Sequence, residues 1–343
     1  MQIYPIFIPF GGCGERCSFC AQTELTGQID RPSPDALSQL LDQMLPRQGS
    51  GEVAFYGGTF TRLPMAEQLV YLGVVSGFQR AGRVGGSRVS TRADALNPEI
   101  IGWLAEAGCR TVEIGCQSFS PKVLQAAGRP CCSATVAAAV KGLRDRAMGV
   151  GLQLMPGLPG GDRSEALASL HAALELQPDF VRIYPTLVFA GTRLAAEFAS
   201  GSYRPWFLDE AVDCCAEMLW CCQRAEVPVI RLGLQGQASY DQGAGPLAGP
   251  YHPAFGQLVR SRLWRWGLQQ LLACAPSCQI FVHPFDISDA LGHRRDNLAH
   301  LRHLGEGLSL RGDASLGRNQ LRSGGNILTL FDLVTSFKRN LTT

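Results

Sequence analysis

Residues 12–20 read Gly-Cys-Gly-Glu-Arg-Cys-Ser-Phe-Cys and follow directly on the apolar run of residues 3–10. An apolar run of this length that stops at glycines is typical of a buried strand followed by a loop. The loop carries Cys13, Cys17 and Cys20 in the spacing C-x3-C-x2-C. The pattern therefore predicts a strand with three soft, metal-binding side chains just beyond its carboxyl end.

The number of cysteines in this loop indicates which metal group it binds. Thiolates are the ligands of iron–sulfur clusters, and a [4Fe–4S] cluster ordinarily takes four of them. Three clustered cysteines without a fourth ligand nearby favour a cluster with one open iron, by the logic that separates catalytic from structural zinc sites. A zinc site is one alternative and chance cysteines are another, since the chain has 13 cysteines. Zinc would need a further Cys or His at short spacing, whereas the nearest histidine in sequence is His171.

Strand-like and helical patterns alternate along residues 3–232. We count seven such units, and this alternation predicts a parallel sheet with right-handed crossovers. No dinucleotide-type glycine fingerprint opens the first helix, which disfavours a Rossmann sheet, and candidate functional residues follow the strands, as in barrels. We therefore predict an α/β barrel over residues 1–235. A small C-terminal α/β appendage is predicted within residues 236–343, with one helix over residues 288–304.

Length and composition restrict the class of protein. A chain of 343 residues that is 46% hydrophobic is able to bury a full core. No apolar run approaches the roughly 20 residues that a membrane span needs, and no basic residue precedes the first apolar run as in a secretory signal. We therefore expect a cytoplasmic protein without a membrane partner. The net charge of +2 gives no general preference for nucleic acid, although basic residues are concentrated in residues 251–343.

Glycines and polar residues follow the second and third strands. Gly57, Gly58 and Thr59 come directly after the second strand, where two glycines let backbone carbonyls approach the ammonium group of a ligand. Ser90 and Arg92 end the third strand and offer hydrogen-bond partners to a ribose or a carboxylate. The alternatives are an ordinary turn and polar residues at the rim of the barrel.

Polar residues also surround the fourth and fifth strands. Glu113, Gln117 and Ser118 lie around the fourth strand. Glu113 stands between apolar neighbours, so its burial is costly unless it is paired, and we predict Arg92 as its partner. A purely structural ion pair is the alternative. Met155 opens the sequence MPGLPG after the fifth strand, a rigid turn suited to lie against a flat adenine.

The cysteine spacing, with Phe19 directly before the third cysteine, resembles the signature of radical S-adenosylmethionine (SAM) enzymes. The resemblance implies a partial (βα)6-type TIM barrel in which the three cysteines hold a [4Fe–4S] cluster and SAM binds its open iron. It implies reductive cleavage of SAM to methionine and a 5′-deoxyadenosyl radical, with a reductant such as flavodoxin or ferredoxin. Gln153 and Tyr184 are expected pocket residues with candidate catalytic roles. The expected SAM-binding residues are Phe19, Gly57, Gly58, Thr59, Ser90, Arg92, Glu113, Gln117, Ser118, Met155 and Gly157.

Longer motifs extend the resemblance. They are YGGTF at residues 56–60, TVEIGCQS at residues 111–118, MPGLPG at residues 155–160 and the segment around Tyr184. Together they resemble the radical SAM domain of the Elongator catalytic subunit and its bacterial relatives, over about residues 3–235. That family modifies the wobble uridine of transfer RNA and carries an acetyltransferase domain.

The sequence departs from that family in three respects. Past residue 236 there is no acetyl-CoA-binding glycine motif, a basic N-terminal extension is missing, and Ser90 stands where the family has an acidic residue. Modification of transfer RNA, with RNA as the substrate, is therefore an alternative function. A non-catalytic iron–sulfur or zinc-binding module is a second alternative.

Further cysteines are candidates for a second metal site. Cys274 and Cys278 lie near His283, and four more cysteines fall on one predicted helix. Buried cysteines on an amphipathic helix are more often small apolar residues, which is the interpretation that we favour for the helix. Its cysteines are Cys214, Cys215, Cys221 and Cys222.

Arginines alternate with tryptophans in the appendage. They are Arg260, Arg262, Trp264, Arg265 and Trp266. Arginine and aromatic side chains bind phosphates and stack on bases. A solvated helix face is the commoner explanation, and it is the one that we favour.

Overall fold

The computed structural model describes residues 2–14, 16–22, 30–129, 131–236, 240, 245–274, 279–302, 304 and 308–340. Within these ranges, none of the helices is both long enough and apolar enough to cross a membrane. The chain divides into two compact units. The first is Met1–Trp206 with Gln237–Gly249, and the second is Phe207–Gly236 with Pro250–Thr343.

The larger sheet has seven strands, and their order in the sheet follows their order in the chain. Neighbouring strands pair in parallel from the first to the sixth. Helices connect them, so the predicted α/β fold with a partial TIM barrel is confirmed. The strands are β1 Ile3–Phe7, β2 Glu52–Tyr56, β3 Gly86–Thr91, β4 Cys109–Gln117, β5 Gly149–Leu154, β6 Phe180–Ile183 and β7 Val229–Leu232.

Capping residues begin several of the connecting helices. Ser33 Oγ accepts a hydrogen bond from Ala36 N at 3.2 Å, and Asn97 Oδ1 accepts one from Ile100 N at 2.8 Å. Proline follows both caps, at a position where its missing N–H has no helical partner to lose. The helices described in the first unit are α1 Pro34–Met44, α2 Met65–Arg80, α3 Pro98–Glu106, α4 Pro121–Ala126, α5 Ser133–Arg144, α6 Arg163–Glu175 and α7 Arg193–Ala199.

A glycine makes room for an aromatic ring inside the barrel. Gly151 on β5 is opposite Phe180 on β6, and a Cβ atom at Gly151 would overlap the Phe180 ring. Arg88 on β3 places its guanidinium carbon 4.8 Å from the centre of the same ring. The ring therefore covers a buried charge, and it is held between two strands.

The second unit contains a smaller sheet of four strands. Residues 207–236 belong to this unit, so the compact units do not coincide with the boundary predicted at residue 235. The reason is the packing of the helix before β7, where Trp220 Nε1 donates to Thr335 Oγ1 at 3.2 Å. The described elements are α8 Leu208–Arg224, α9 Phe255–Cys274, β8 Gln279–Val282, α10 Ile287–Leu291, α11 Asp296–Leu301, β9 Ser309–Gly312, β10 Gln320–Ser323, β11 Asn326–Thr329 and α12 Leu330–Asn340.

The single helix predicted over residues 288–304 is wrong. The chain forms two short helices there, α10 and α11, separated by a left-handed segment. Gly292 has φ 81°, Arg294 has φ 52° and Arg295 has φ 63°. An α-helix cannot continue through residues of this conformation. The apolar periodicity correctly indicated a helix on either side of Gly292, and this glycine marks the point where the helix is interrupted.

The arginines and tryptophans of α9 do not form a surface for stacking on bases. Trp264 and Trp266 are buried, so neither indole offers an exposed face. The side chains of Arg262 and Arg265 are mostly buried as well, which also contradicts the solvated face that we favoured. All three arginines are paired within the second unit, Arg260 with Asp289, Arg262 with Asp209 and Asp213, and Arg265 with Asp296.

The cysteines of α8 behave as small apolar residues. Cys214, Cys215 and Cys222 are buried, as that interpretation requires. Cys278 lies outside the described residues, so the Cys274–Cys278 metal site stays a prediction. In the part of the chain that the structure describes, no three His, Cys, Asp or Glu side chains are grouped so that they could hold one metal ion.

Replacing Gly151 tests the packing of the barrel interior. We expect Gly151→Val to lower the free energy of unfolding by about 1–3 kcal/mol, because the new side chain displaces the Phe180 ring. Gly73→Ala is the control, since a Cβ atom there meets nothing within 4 Å on helix α2. The control should raise stability by about 0.5–1 kcal/mol. Urea unfolding measures both, and equal effects would contradict the packing argument.

Candidate active site

The loop that carries the cysteines lies directly against the loop that follows β2. Phe10 N donates to Gly57 O at 2.8 Å, and Thr59 N donates to Gly11 O at 2.7 Å. The approach is close, because a Cβ atom at Gly58 would overlap Gly11 O. The two loops that the sequence singled out are therefore one structural feature.

The cysteine loop is also fixed to two helices of the first unit. Ser18 N donates to Ala127 O at 2.9 Å at the end of α4, and Leu194 N on α7 donates to Ser18 O at 2.8 Å. The Phe19 side chain packs against the buried cluster of Val123, Ala127 and Leu158. The position of the cysteines is therefore set by segments that are distant in sequence.

Two thiols of the cysteine loop contact side chains from other segments of the chain. Cys13 Sγ lies 3.3 Å from Thr59 Oγ1, and Cys17 Sγ accepts a hydrogen bond from Arg129 Nη1 at 3.4 Å. Burial, together with the charges of Cys17 and Cys13, raises the pKa of the Cys20 thiol to about 12. Mutual electrostatic coupling of this kind requires thiols that lie near one another.

A network of buried charges fills the barrel interior. Glu113 Oε1 accepts hydrogen bonds from Tyr56 Oη at 2.8 Å and from Arg88 Nη1 at 2.7 Å, and Glu113 Oε2 lies 2.8 Å from Arg182 Nη1. Arg88 also donates to Glu52 Oε2 at 2.7 Å. Two guanidinium groups thus balance two carboxylates. Burial and the Glu113 charge raise the pKa of Tyr56, so its hydroxyl stays protonated as a donor.

The prediction that Arg92 pairs with Glu113 is wrong. Arg92 instead donates to both carboxylate oxygens of Asp94, at 2.8 and 2.7 Å. Ser90 is the register partner of Glu113. Arg88 lies two residues before Ser90 and Arg92 lies two residues after it, so the alternation of side chains assigns both arginines to the same face. Arg92 lies past the end of β3. Arg88, which lies within the strand, therefore pairs with Glu113.

The end of β4 is irregular where it meets this space. The register between β4 and β5 shifts between Gly115 and Gln117, and Gln117 adopts φ 68°. Gln117 Oε1 accepts a hydrogen bond from Gln153 Nε2 at 3.2 Å, and Gly115 O accepts one from Arg129 Nη2 at 2.5 Å. A bulge of this kind re-aims a side chain at the rim of a barrel. Ser90, the neighbour of Glu113 in the sheet, is partly exposed.

The sequence MPGLPG forms an edge next to the cysteine loop. Met155 packs with Phe19 against the same buried cluster of α4 and its following turn. Gly157 has φ 84°, and its carbonyl oxygen accepts a hydrogen bond from Tyr203 Oη at 2.7 Å. The Trp206 ring lies beneath Gly157, where a Cβ atom would come within 3.2 Å of it. Tyr203 and Trp206 therefore both contact Gly157 and support this segment.

Two sequence-family models match most of the chain. The sequence model of the radical SAM superfamily matches residues 7–173, and the model of the radical SAM C-terminal domain matches residues 178–265. The chain belongs to the radical SAM superfamily. It is therefore an enzyme of this class, as predicted.

Individual relatives of this radical SAM chain match it in part. The tRNA uridine(34) acetyltransferase of Methanocaldococcus jannaschii is 30% identical over 128 residues, which are 36% of this chain and 24% of that protein. The chain spans between 24% and 38% of the length of the three tRNA uridine(34) acetyltransferases that it matches.

Solved structures support the radical SAM fold. The archaeal Elp3 of Methanocaldococcus infernus, solved with an N-terminal deletion, superposes with a TM-score of 0.60 at 20% identity, covering 78% of this chain and 63% of that one. Coproporphyrinogen III oxidase from Escherichia coli gives 0.50 at 18% identity, covering 65% and 53%. At these identities the likeness concerns the fold alone.

The cofactors of the superfamily are a [4Fe–4S] cluster and SAM, as predicted from the cysteine loop. The donor set fits such a cluster in chemical kind, because thiolates are its ligands and the loop carries three cysteines. The ligand roles of Cys13, Cys17 and Cys20 stay a prediction.

Two other predicted residues of the radical SAM site, Ser118 and Tyr184, have different neighbours. Ser118 faces helix α6, where its hydroxyl donates to Glu165 Oε1 at 2.6 Å, so it does not line the space beside the cysteines. Tyr184 N donates to Leu154 O at 2.9 Å, just beyond the end of β6. Although burial lowers the pKa of Arg182, the charges of Tyr184 and Glu113 raise it overall, which places Tyr184 near the charged network.

Two residues that the sequence did not single out as site residues contact predicted residues of the radical SAM site. Arg129 reaches Cys17 from the turn after α4, and Tyr203 supports Gly157. Neither lies beside a strand end in sequence, where barrel sites are normally sought. Gly128 is the feature of the sequence that could have indicated Arg129, because a glycine of this kind marks the end of a helix and fixes the backbone of the next residue.

Removing Glu113 tests the charge network. We expect Glu113→Ala to lower the free energy of unfolding by about 3–5 kcal/mol, because it leaves the buried Arg182 without its carboxylate and Arg88 with Glu52 alone. The control is Asp145→Ala, which breaks an exposed pair with Lys141 on α5 and should cost about 0–1 kcal/mol. Anaerobic urea unfolding measures both. A loss at Glu113 as small as that of the control would show that the network contributes little.

Proposed function

We propose that this enzyme cleaves SAM reductively and uses the product radical to abstract hydrogen from a substrate in the barrel. A [4Fe–4S] cluster held by Cys13, Cys17 and Cys20, with SAM on its open iron, supplies that chemistry when bound. The observation that carries the proposal is the contact between the cysteine loop and the Gly57–Thr59 loop, through the hydrogen bonds of Phe10 and Thr59. It joins the loop that carries the three cysteines to a glycine-lined backbone.

The residues around this contact divide the binding of SAM among them. Gly57 and Gly58 would offer backbone oxygens to its amino group, because no Cβ atom stands in the way. Met155, Gly157 and Phe19 would form the apolar edge for its adenine, since they share the wall beside the cysteine loop. These groups orient the cofactor and exclude water, which is the protein's part in cofactor chemistry.

The polar rim would receive ribose and substrate. Gln117 and Gln153 form an amide pair at the top of the barrel and retain further hydrogen-bonding capacity. Below them, Glu113 has both oxygens engaged by neighbouring donors. We therefore assign Glu113 to the floor of the pocket and Gln117, Gln153, Ser90 and Tyr184 to its contact surface.

The wider assignments follow from this chemistry. We propose that residues 1–235 act as the radical SAM domain and residues 236–343 as an accessory region. A low-potential donor such as flavodoxin or ferredoxin would deliver the electron. A cytoplasmic location suits an oxygen-sensitive cluster.

Modification of transfer RNA is the second candidate function. It is favoured by the similarity to tRNA uridine(34) acetyltransferases over 128 residues. The α9 arginines give it no support, because all three are paired with carboxylates. Binding of transfer RNA with a steep dependence on salt would favour it.

The first test is formation of 5′-deoxyadenosine. After anaerobic reconstitution with iron and sulfide, reduction with dithionite and addition of SAM, we expect the unmutated protein to release 5′-deoxyadenosine. Cys17→Ala should lose the product and part of the bound iron, since it removes one of the three thiols. Chromatography and iron analysis measure both.

Cys132→Ala is the matched control for this test, because Cys132 is exposed and its Sγ lies 3.0 Å from Thr135 Oγ1 at the start of α5. It should keep both iron and product formation. One zinc ion per chain in place of iron, or equal loss in both variants, would contradict the proposed function.

A further inference from the structure

Arg129 is a buried arginine that touches the cysteine loop. Its Nη1 donates to Cys17 Sγ at 3.4 Å, and its Nη2 donates to Gly115 O at 2.5 Å. The residue is only 8% exposed. Its guanidinium therefore bridges a thiol of the loop and the bulged end of β4.

The backbone of Arg129 is fixed by the end of helix α4. Gly128 N donates to Gln125 O at 3.0 Å, Arg129 N donates to Leu124 O at 2.8 Å, and Gly128 has φ 67°. This pair of bonds around a left-handed glycine is the Schellman motif. Arg129 is therefore placed by the helix end and not by a flexible loop, so its guanidinium position is determined before any ligand binds.

The charge of Arg129 is poorly compensated. Within the described ranges, no carboxylate forms an ion pair with it, whereas Arg92, Arg88 and Arg182 each have one. Asp94 is the nearby carboxylate that feels its charge, and it is already engaged by Arg92. A buried cation in this situation stabilises negative charge placed beside it.

We propose that Arg129 raises the reduction potential of the cluster by donating an N–H to Cys17 Sγ and by contributing an uncompensated positive charge. The inference rests on the proposed function. Reduction adds one electron from a low-potential one-electron donor, breaks no bond and makes the cluster more negative by one charge. Hydrogen bonds to the sulfurs and net charge both set cluster potentials.

The test is a redox titration of the reconstituted protein without SAM, followed by the EPR signal of the reduced cluster. Arg129→Gln removes the charge and should lower the equilibrium constant for one-electron reduction at least tenfold, a shift of about 59 mV to lower potential. Arg129→Lys keeps the charge but loses the planar fork, so its potential should lie between those of the other two proteins.

Arg193→Gln is the matched control. Arg193 also contacts the end of α4, donating to Ala126 O at 2.6 Å, but it pairs with Glu197 and is exposed. Its loss should leave the potential unchanged. Iron and sulfide content are measured for every variant before titration.

Two results would overturn the inference. One is an unchanged potential in an Arg129→Gln protein that carries a full cluster. The other is loss of the cluster in both Arg129 variants, which would make Arg129 a structural support of the loop. Failure of the unmutated protein to form any cluster is a different result, because it would overturn the proposed function itself.

Discussion

The candidate site depends on two backbone loops that meet with no side chain between them. Gly12 adopts φ 71°, and a Cβ atom there would overlap Thr59 O, just as one at Gly58 would overlap Gly11 O. A larger residue on either side would have to separate the loops. Glycines are therefore required here by the approach as well as by conformation. The cysteine loop and the Gly57–Thr59 loop hold their relative positions because of this contact.

Glu113 and Arg88 in the charged interior of the barrel are already engaged by neighbouring groups, which limits what these side chains recognise. Glu113 receives three donors and Arg88 spans two carboxylates. Removing one partner from such a group is costly, so the network resists rearrangement. A substrate would gain little by competing with these bonds. Recognition is therefore expected from the neutral amides of Gln117 and Gln153 at the rim, whose hydrogen bonds are easier to exchange.

The sequence predicted features that depend on local pattern, and it failed where a choice depended on packing. The strand–helix alternation and the cysteine loop after the first strand follow from periodicity and turn chemistry, and the structure has both. Arg88 and Arg92 have the same parity on one strand, so periodicity could not choose between them. The side chain of Ser118 turns toward α6, because its position follows the bulge of β4, which changes the alternation.

Arginines of one chain differ in function according to what surrounds them. Each arginine of α9 forms an ion pair with a carboxylate on a neighbouring helix of the second unit, so its charge is neutralised within that unit. Arg129 has a thiol and a carbonyl as acceptors instead. Arg262 and Arg265 of α9 are mostly buried as Arg129 is, so burial alone does not identify a functional arginine. A buried cation whose acceptors are a sulfur and a backbone oxygen, placed by a helix end, is left with a charge that only another negative group beside it neutralises.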